Sequence, residues 1–294
     1  MANLSTPLLS LSTAATWGAG DFCGGIATRR STVFSVVAVA HGAGLLFMLA
    51  LAVLFRERMP GEAALAWALA AGITGGAGLA CLYRALAVGK MGLNAPLSSV
   101  ITALVPLIFS LFREGLPHLW RTVGLAVALV SIWLIASQND SDHPSDKLHA
   151  PIATTSPADT NQGVALAIAA GLGFGGFLVL IKFAGSCAVF WPLAMTRVGS
   201  LGLMLTMLAV SRGEWRLAPG SLRWVLLAGF LDTGANALYV AATQRGSLAV
   251  AAVLSSLYPG STVILARIAL KERWSRLQGV GMATALVAVG LISY

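Results

Sequence analysis

The chain has 294 residues, of which 57% are hydrophobic and only 10% are charged, and its net charge is +8. A soluble domain carries roughly 25% charged residues, so this chain has too few polar groups to cover the surface of a soluble fold. The composition excludes a soluble enzyme, a disordered tail and a disulfide scaffold. It indicates a polytopic membrane protein.

Ten apolar runs follow one another along the chain, and a membrane-spanning helix needs about 20 such residues. The runs lie at 8–28, 33–55, 63–84, 93–112, 120–137, 163–183, 190–211, 222–243, 247–269 and 275–293. A backbone inside a bilayer must satisfy its own hydrogen bonds, and the alternating segments of about ten residues that form a β-barrel are absent from the sequence. The predicted fold class is therefore an all-α membrane protein with ten transmembrane helices.

One long polar stretch divides the chain near its middle. It runs from Ser137 to Asn161 and contains four aspartates and three prolines. We interpret it as a linker, which divides the chain into residues 1–137, a linker at 138–161 and residues 162–294.

The two parts of the chain resemble each other at a nearly constant offset. Leu97-Ser98-Ser99 matches Leu254-Ser255-Ser256, since 254 − 97 = 157, and Gly124 matches Gly281, since 281 − 124 = 157. Each part is then a repeat of five helices. Because five is odd, the second repeat enters the membrane in the opposite sense. Inverted repeats of this kind place a binding site at mid-membrane between the halves and permit alternating access.

The basic residues do not indicate a nucleic-acid partner. They stand singly or in pairs at the ends of the apolar runs, as at Arg29-Arg30, Arg56 and Arg113, where membrane insertion requires them. The lipid bilayer is therefore the expected environment. No Lys or Arg precedes Arg29, so the sequence lacks the charged start of a cleavable signal peptide, and we expect the first span to be retained.

No motif predicts a cofactor or a metal site. The three cysteines share no ligand-like spacing, and no Walker loop, HExxH or CxxC motif occurs. Gly171, Gly173 and Gly176 spell GxGxxG, but they lie inside an apolar run with no strand before them. Gly171 and Gly175 form GxxxG, which favours close helix packing.

Asp21 is an acidic residue in the middle of the first run. Trp17 and Gly18 lie four and three residues before Asp21, and Gly24 and Gly25 lie three and four residues after it. Asp21 therefore shares a helix face with small residues. Ionisable groups inside spans are costly and usually face a bundle interior or a water path. We interpret Asp21 as a proton or cation site. The alternative is an acid bonded to nearby donors or to an arginine.

Asp232, Asn236 and Tyr239 share one face of the eighth helix at i, i+4 and i+7. They fit either a site for a polar or amino-bearing solute or an interhelical hydrogen-bond patch.

Arg197 and His41 occupy equivalent places in the two repeats, since 197 − 41 = 156. Arg197 can pair with Asp21 or Asp232, or hold a substrate carboxylate. His41 can titrate near neutral pH or simply pack.

Hydroxyl and amide stripes occupy the fourth and ninth helices. Asn94, Ser98 and Thr102 form one, and Ser255, Tyr258 and Thr262 form the other. They suit a cavity lining, or hydroxyls bonded to their own helix carbonyls. Pro106 and Pro259 in these helices predict kinks.

Several short motifs together resemble the ten-helix EamA type of the drug/metabolite transporter superfamily. They are Trp17-Gly18, Tyr83-Arg84-Ala85-Leu86, Pro106, Glu114 and Gly124, then Arg197, Tyr239, Pro259, Glu272 and Gly279. This sequence has His41 near the family's basic position in the second helix and Asp21 at the polar position after Trp-Gly.

The resemblance implies a multi-pass secondary carrier of small organic solutes in a bacterial inner membrane, often an exporter of amino acids or related metabolites. Trp17, Tyr83 and Tyr239 would supply aromatic walls, and transport would use the solute's own gradient or proton exchange. The family's habit implies cytoplasmic termini, whereas the count of loop Lys and Arg favours termini outside, so orientation stays open. The oligomeric state also stays open.

Three other functions remain alternatives to this carrier. The first is efflux of multiple drugs or cationic compounds. The second is an intramembrane enzyme, for which His41 with a serine is the candidate pair. The third is a structural or regulatory membrane subunit without transport.

Overall fold

A computed structural model describes residues 5–29, 31–88, 91–115, 117–137, 157–211, 215–270 and 275–293. Throughout these ranges the regular structure is α-helical. The helices are α1 Ser5–Thr28, α2 Val33–Leu54, α3 Glu62–Val88, α4 Met91–Glu114, α5 Leu119–Ala136, α6 Pro157–Ala184, α7 Phe190–Ser211, α8 Leu222–Arg245, α9 Leu248–Ser255, α10 Tyr258–Leu270 and α11 Arg276–Ser293.

The helices form ten spans, because α9 and α10 together make one. Nine helical stretches in the described residues are long and apolar enough to cross a membrane, and Leu248–Leu270 is one of them. The tenth span is α1, whose 24 residues reach about 36 Å. It is less apolar, but Ser10 and Thr13 donate their hydroxyls to carbonyls four residues earlier. The predicted fold class is confirmed.

The helices differ from the predicted runs in two places. α6 begins at Pro157, six residues before the predicted 163, since proline is well tolerated in a first helical turn. Residues 157–161 of the predicted linker thus belong to α6, and 138–156 lie outside the described residues. The ninth run is interrupted at Ser256 and Leu257, just before Pro259, whereas α4 continues through Pro106.

The helix contacts obey an approximate two-fold symmetry between the repeats. α1 packs against α8, α9 and α10, and its counterpart α6 packs against α3 and α4. α2 contacts its own counterpart α7, and α5 contacts its counterpart α11. These self-paired contacts mark the axis that relates inverted repeats.

Glycines allow the closest contacts across this axis. Gly124 lies against Leu291 and Ile292, and the equivalent Gly281 lies against Leu134-Ile135. A Cβ atom at either glycine would come within 3.0 Å of its neighbours. Each of the two glycines that match in the sequence therefore contacts the other repeat in the fold, at equivalent Leu-Ile positions.

The GxxxG interpretation is also confirmed. Gly171 and Gly175 of α6 face Ile101 and Val105 of α4, and a Cβ at either would lie 2.5 Å from those side chains. Such spacing lets helix backbones approach closely inside a bilayer.

Charged groups join the two repeats at one end of the bundle. We call the end where α1 begins and α11 ends the terminal end, and the end where α5 ends and α6 begins the linker end. At the terminal end, the Glu57 carboxylate accepts the backbone N–H groups of Val189, Phe190 and Trp191 at 2.8–2.9 Å. It thereby caps the start of α7, where backbone N–H groups lack helical partners.

Glu114 makes the second connection at the terminal end. Its carboxylate accepts bonds from Lys182 Nζ and from the hydroxyls of Ser110 and Ser247, each at 2.7 Å. Lys182 lies in the last turn of α6 and Ser247 precedes α9, so this carboxylate of the first repeat holds two segments of the second.

At the linker end, the described contacts between the repeats include hydrogen bonds between neutral groups. Thr32 N–H donates to the Arg216 carbonyl at 3.0 Å, and the hydroxyls of Ser35 and Ser31 accept the N–H groups of Arg216 and Ala218. The α1–α2 turn is thus bonded to the segment before α8.

The glycine contacts predict that alanine substitutions at two glycines of α8 differ in their effect on the free energy of unfolding. Gly229 lies against the Ala40 backbone, so Gly229→Ala should destabilise the protein by about 1–3 kcal/mol through overpacking. Gly234→Ala is the control, because no atom lies within 4 Å of its Cβ position and alanine favours a helix. The measurement is the thermal unfolding midpoint in detergent. Equal midpoints for both variants would contradict the packing argument.

The cap on α7 predicts an effect for a distant loop residue. Glu57→Gln should cost about 1–2 kcal/mol, because it removes the charge and one acceptor from three backbone N–H groups. Glu62→Gln is the control, since Glu62 is exposed and no bond to it occurs in the described residues. Thermal unfolding in detergent measures both. A midpoint for Glu57→Gln as high as that for Glu62→Gln would refute the cap.

Candidate functional site

An ion pair between α7 and α8 lies at the centre of the candidate site. Arg197 Nη2 donates to Asp232 Oδ2 at 2.5 Å. The Arg197 side chain is only 6% exposed, whereas that of Asp232 is 39% exposed. Gly44 of α2 makes room for this pair, since a Cβ there would lie 3.4 Å from Arg197 Nε. Of the two partners that the sequence allowed for Arg197, the structure selects Asp232.

His41 lies beside this pair, at the contact between α2 and α7. Its Nδ1 atom lies 3.0 Å from the hydroxyl of Ser200, one turn after Arg197. Ser200 is buried, and its hydroxyl also bonds to the Arg197 carbonyl. In the described residues no carboxylate hydrogen-bonds to His41, so the Ser–His contact lacks the orienting acid of a catalytic triad.

Asp21 is an exposed carboxylate near the second acid. The preceding residue, Gly20, packs against the α8 backbone at Asp232, and the two carboxylates interact electrostatically. Within the described part of the chain, Asp21 makes no hydrogen bond or ion pair. Because Arg197 pairs with Asp232, Asp21 is the unpaired carboxyl group of the site.

Aromatic rings surround the two carboxylates. The Trp17 ring lies 5.8 Å from the Tyr239 ring and 6.2 Å from the Tyr258 ring. Tyr83 lies within electrostatic range of both Asp21 and Asp232. Such rings suit solutes with an apolar part or a cationic group.

Two of the predicted residues on α8 differ in what they offer a ligand. Tyr239 is fully buried, and its hydroxyl donates to the Leu178 carbonyl at 3.2 Å, so its polar end is already occupied. Asn236 is 3% exposed, and its Oδ1 atom has no partner in the described residues. An unpaired buried acceptor is costly, so Asn236 is ready to receive a donor.

The structure brings the predicted residues into one region. Each is linked to at least one other member of the set by a ring contact, an ion pair, an electrostatic interaction or a position on a shared helix face. They are Trp17, Asp21, His41, Tyr83, Arg197, Asp232, Asn236 and Tyr239. In the described part, no group of three His, Cys, Asp or Glu residues is arranged to hold a metal ion.

Sequence reasoning left Tyr258 out of this set. Tyr258 begins α10 at the helix interruption, contacts Trp17 and interacts with Asp21. The adjacent Pro259 was the available signal, because it predicted a break that would turn the preceding residues out of a regular helix.

The hydroxyl stripes bond to helix carbonyls. Ser255 and Thr262 donate across to α1, at the carbonyls of Ser10 and Gly18. Thr102 donates within its own helix. These groups therefore fix helix packing.

A separate concavity of about 530 Å³ lies at the linker end. Thr28, Arg29, Ser31, Thr32, Arg216 and Ala218 line it. It includes none of the predicted site residues and consists of loop surface.

Comparison with known proteins identifies the architecture. The model of the EamA-like transporter family matches the chain twice, at residues 4–137 and 161–294. A solved structure titled "Crystal structure of protein" aligns with a TM-score of 0.76, covering 98% of this chain and 96% of that chain. Its sequence identity is 15%, so this likeness shows the fold alone. No curated protein matches the chain.

The unequal exposure of the ion pair predicts unequal mutational costs. Asp232→Asn leaves a buried cation without a counter-charge and should cost about 2–3 kcal/mol. Arg197→Gln leaves an accessible anion and should cost about 1 kcal/mol. Thermal unfolding midpoints in detergent compare the two variants. The reverse order would show that Arg197 is not the buried partner.

Proposed function

Since the chain belongs to the EamA-like transporter family, we propose that it exports small organic solutes, such as amino acids or related metabolites, as a secondary transporter. The family accounts for an integral, multi-pass membrane protein that moves small solutes. We assign it to a bacterial inner membrane. The proposed division keeps the predicted repeats, at 1–137 and 162–294, and the linker between them at 138–161, whose last five residues already form the start of α6.

The observation that carries this proposal is a charged site where the two repeats meet. Arg197 and His41 stand on the self-paired helices α7 and α2, and Asp232 lies on the adjacent α8. Groups on both repeats would change their relative positions if the repeats rocked about their common axis. Mid-membrane sites between inverted repeats serve transport in this way.

A difference in burial between equivalent segments supports alternating access. Every residue of α9, Leu248–Ser255, is buried. The equivalent start of α4 is more open, since Leu93, Ala95 and Leu97 are partly exposed. A symmetric scaffold with unequal ends is expected of a carrier in one of its two states, here with the terminal end the more closed.

The charge at the site favours a solute with a positively charged amine. Asp21 is exposed and unneutralised, and Asp232 keeps part of its carboxylate accessible. Arg197 is engaged, so the carboxylate of a zwitterion would have to compete with Asp232 for it. Trp17 and Tyr83 would contact the rest of the solute, and Asn236 would accept a donor.

Efflux of cationic compounds is a second candidate, favoured by the same acidic and aromatic site. The two substrate classes differ in whether a solute carboxylate is needed. If Arg197→Gln abolished transport of amino acids but not of simple amines, the result would favour export of amino acids.

Asp21 is the proposed site of proton coupling. It is the exposed acid without a bonded partner among the described site residues, so a proton and an amine can compete for it. The groups around it are Asp232 of α8, Tyr83 of α3 and Tyr258 of α10.

Comparison of metabolites released by cells with and without the protein should identify the solute. In proteoliposomes, Asp21→Asn should then lower the initial transport rate of that solute by at least about tenfold, equivalent to about 1.4 kcal/mol, and remove its pH dependence. Glu62→Gln, a charge loss at the exposed start of α3, should leave both unchanged. Unchanged rate and pH dependence in Asp21→Asn would disprove its role. No solute movement in wild-type vesicles would disprove the transport function.

A further inference from the structure

A small pocket at the terminal end is built for an anion. It has a volume of about 100 Å³ and lies where α1, α5, α11 and the α8–α9 turn meet. Thr6, Arg121, Arg245, Ser247 and Ser293 supply its polar side chains. A single water needs roughly 10–15 Å³ of such space, so this terminal pocket has room for a larger polar group.

Both charged groups that line the terminal pocket are arginines. Arg121 makes no hydrogen bond or ion pair in the described residues, and its Nε atom is buried without a partner. Arg245 donates one Nη1 bond to the Ala241 carbonyl at 3.2 Å, which leaves most of its donors free. A partly buried, unpaired guanidinium destabilises the folded protein, so binding of an anionic partner would stabilise it.

Thr6 adds an unpartnered donor to the same pocket. Thr6 is 4% exposed, and its hydroxyl has no hydrogen-bond partner among the described residues. Ser10 and Thr13 satisfy their hydroxyls on α1 carbonyls four residues earlier. Thr6 stands in the first turn of α1 and lines the pocket, so its hydroxyl is an unpaired polar group beside the two arginines.

The start of α9 contributes positive potential. Its N-cap, Ser247, makes no side-chain capping bond, because the Ser247 hydroxyl donates to Glu114. The first N–H groups of α9 thus lack a side-chain acceptor beside the pocket, which Val250 also lines. Helix starts of this kind attract phosphate and related anions.

We propose that the terminal pocket binds a phosphate-type oxyanion, supplied either as inorganic phosphate or as the phosphodiester of an anionic phospholipid headgroup. Arg121 and Arg245 provide the charge, and the Thr6 hydroxyl provides a hydrogen bond. The pocket lies at the ends of membrane-spanning helices, where headgroups are present. This binding site is separate from the solute site and does not depend on the transported solute.

Thermal unfolding of the full-length protein in an uncharged detergent tests the proposal. One arm adds inorganic phosphate against chloride at matched ionic strength. The other adds phosphatidylglycerol against phosphatidylcholine in mixed micelles. We expect a saturable rise in the unfolding midpoint in at least one arm. A rise with phosphate alone would identify the free ion as the ligand. A rise with phosphatidylglycerol alone would identify the lipid headgroup as the ligand.

Variants test whether the rise in the unfolding midpoint is caused by binding in the terminal pocket. Arg121→Gln should raise the half-saturating concentration by about tenfold or more, and Thr6→Val by a smaller factor. Arg223→Gln removes one charge at the linker end, where Arg223 lies over Trp224, and should behave as wild type. No rise in either arm, or equal half-saturation in wild type, Arg121→Gln and Thr6→Val, would overturn the proposal. Thr6→Val keeps the test decisive if Arg121→Gln does not fold.

Discussion

Close backbone contact at glycines is the interaction on which this fold depends. Lipid tails are as apolar as leucine, so helices in a bilayer associate through packing and hydrogen bonds. Gly72 lies against Thr196, and its equivalent Gly229 lies against Ala40, so the same contact is made twice across the axis. These contacts bring α3 to α7 and α8 to α2, and α7 and α2 are the helices that carry Arg197 and His41.

The candidate site arises where that symmetry is broken. Arg197 is matched in the first repeat by His41, and Asp232 by Gly75, since 232 − 75 = 157. The first repeat thus provides glycine where the second has an acid. A buried arginine must be paired, and Asp232 pairs it. The ion pair therefore lies within the second repeat, although it packs against Gly44 of the first.

The sequence predicted the ten spans and the residues on each helix face, because both follow from the length and period of apolar runs. It left the partner of Arg197 open between Asp21 and Asp232, since spacing along one helix carries no information about the rotation of its neighbours. The role of Glu57 was also missed. Its nearest sequence neighbours are Arg56 and Arg58, whereas its bonding partners lie more than 130 residues away.

If the repeats rock as proposed, the contacts at the terminal end would be strong enough to favour one state and weak enough to be released. In the described residues, Glu57 and Glu114 take part in six side-chain hydrogen bonds between the repeats there. Each contributes about 0.5–1.5 kcal/mol net, because water replaces the lost partner on opening. Together they amount to roughly 3–9 kcal/mol. Moving a two-state equilibrium from 1:99 to 99:1 takes about 5.5 kcal/mol, so differential binding of a solute can offset much of this closure. In that proposal, the linker end would close as the terminal end opens.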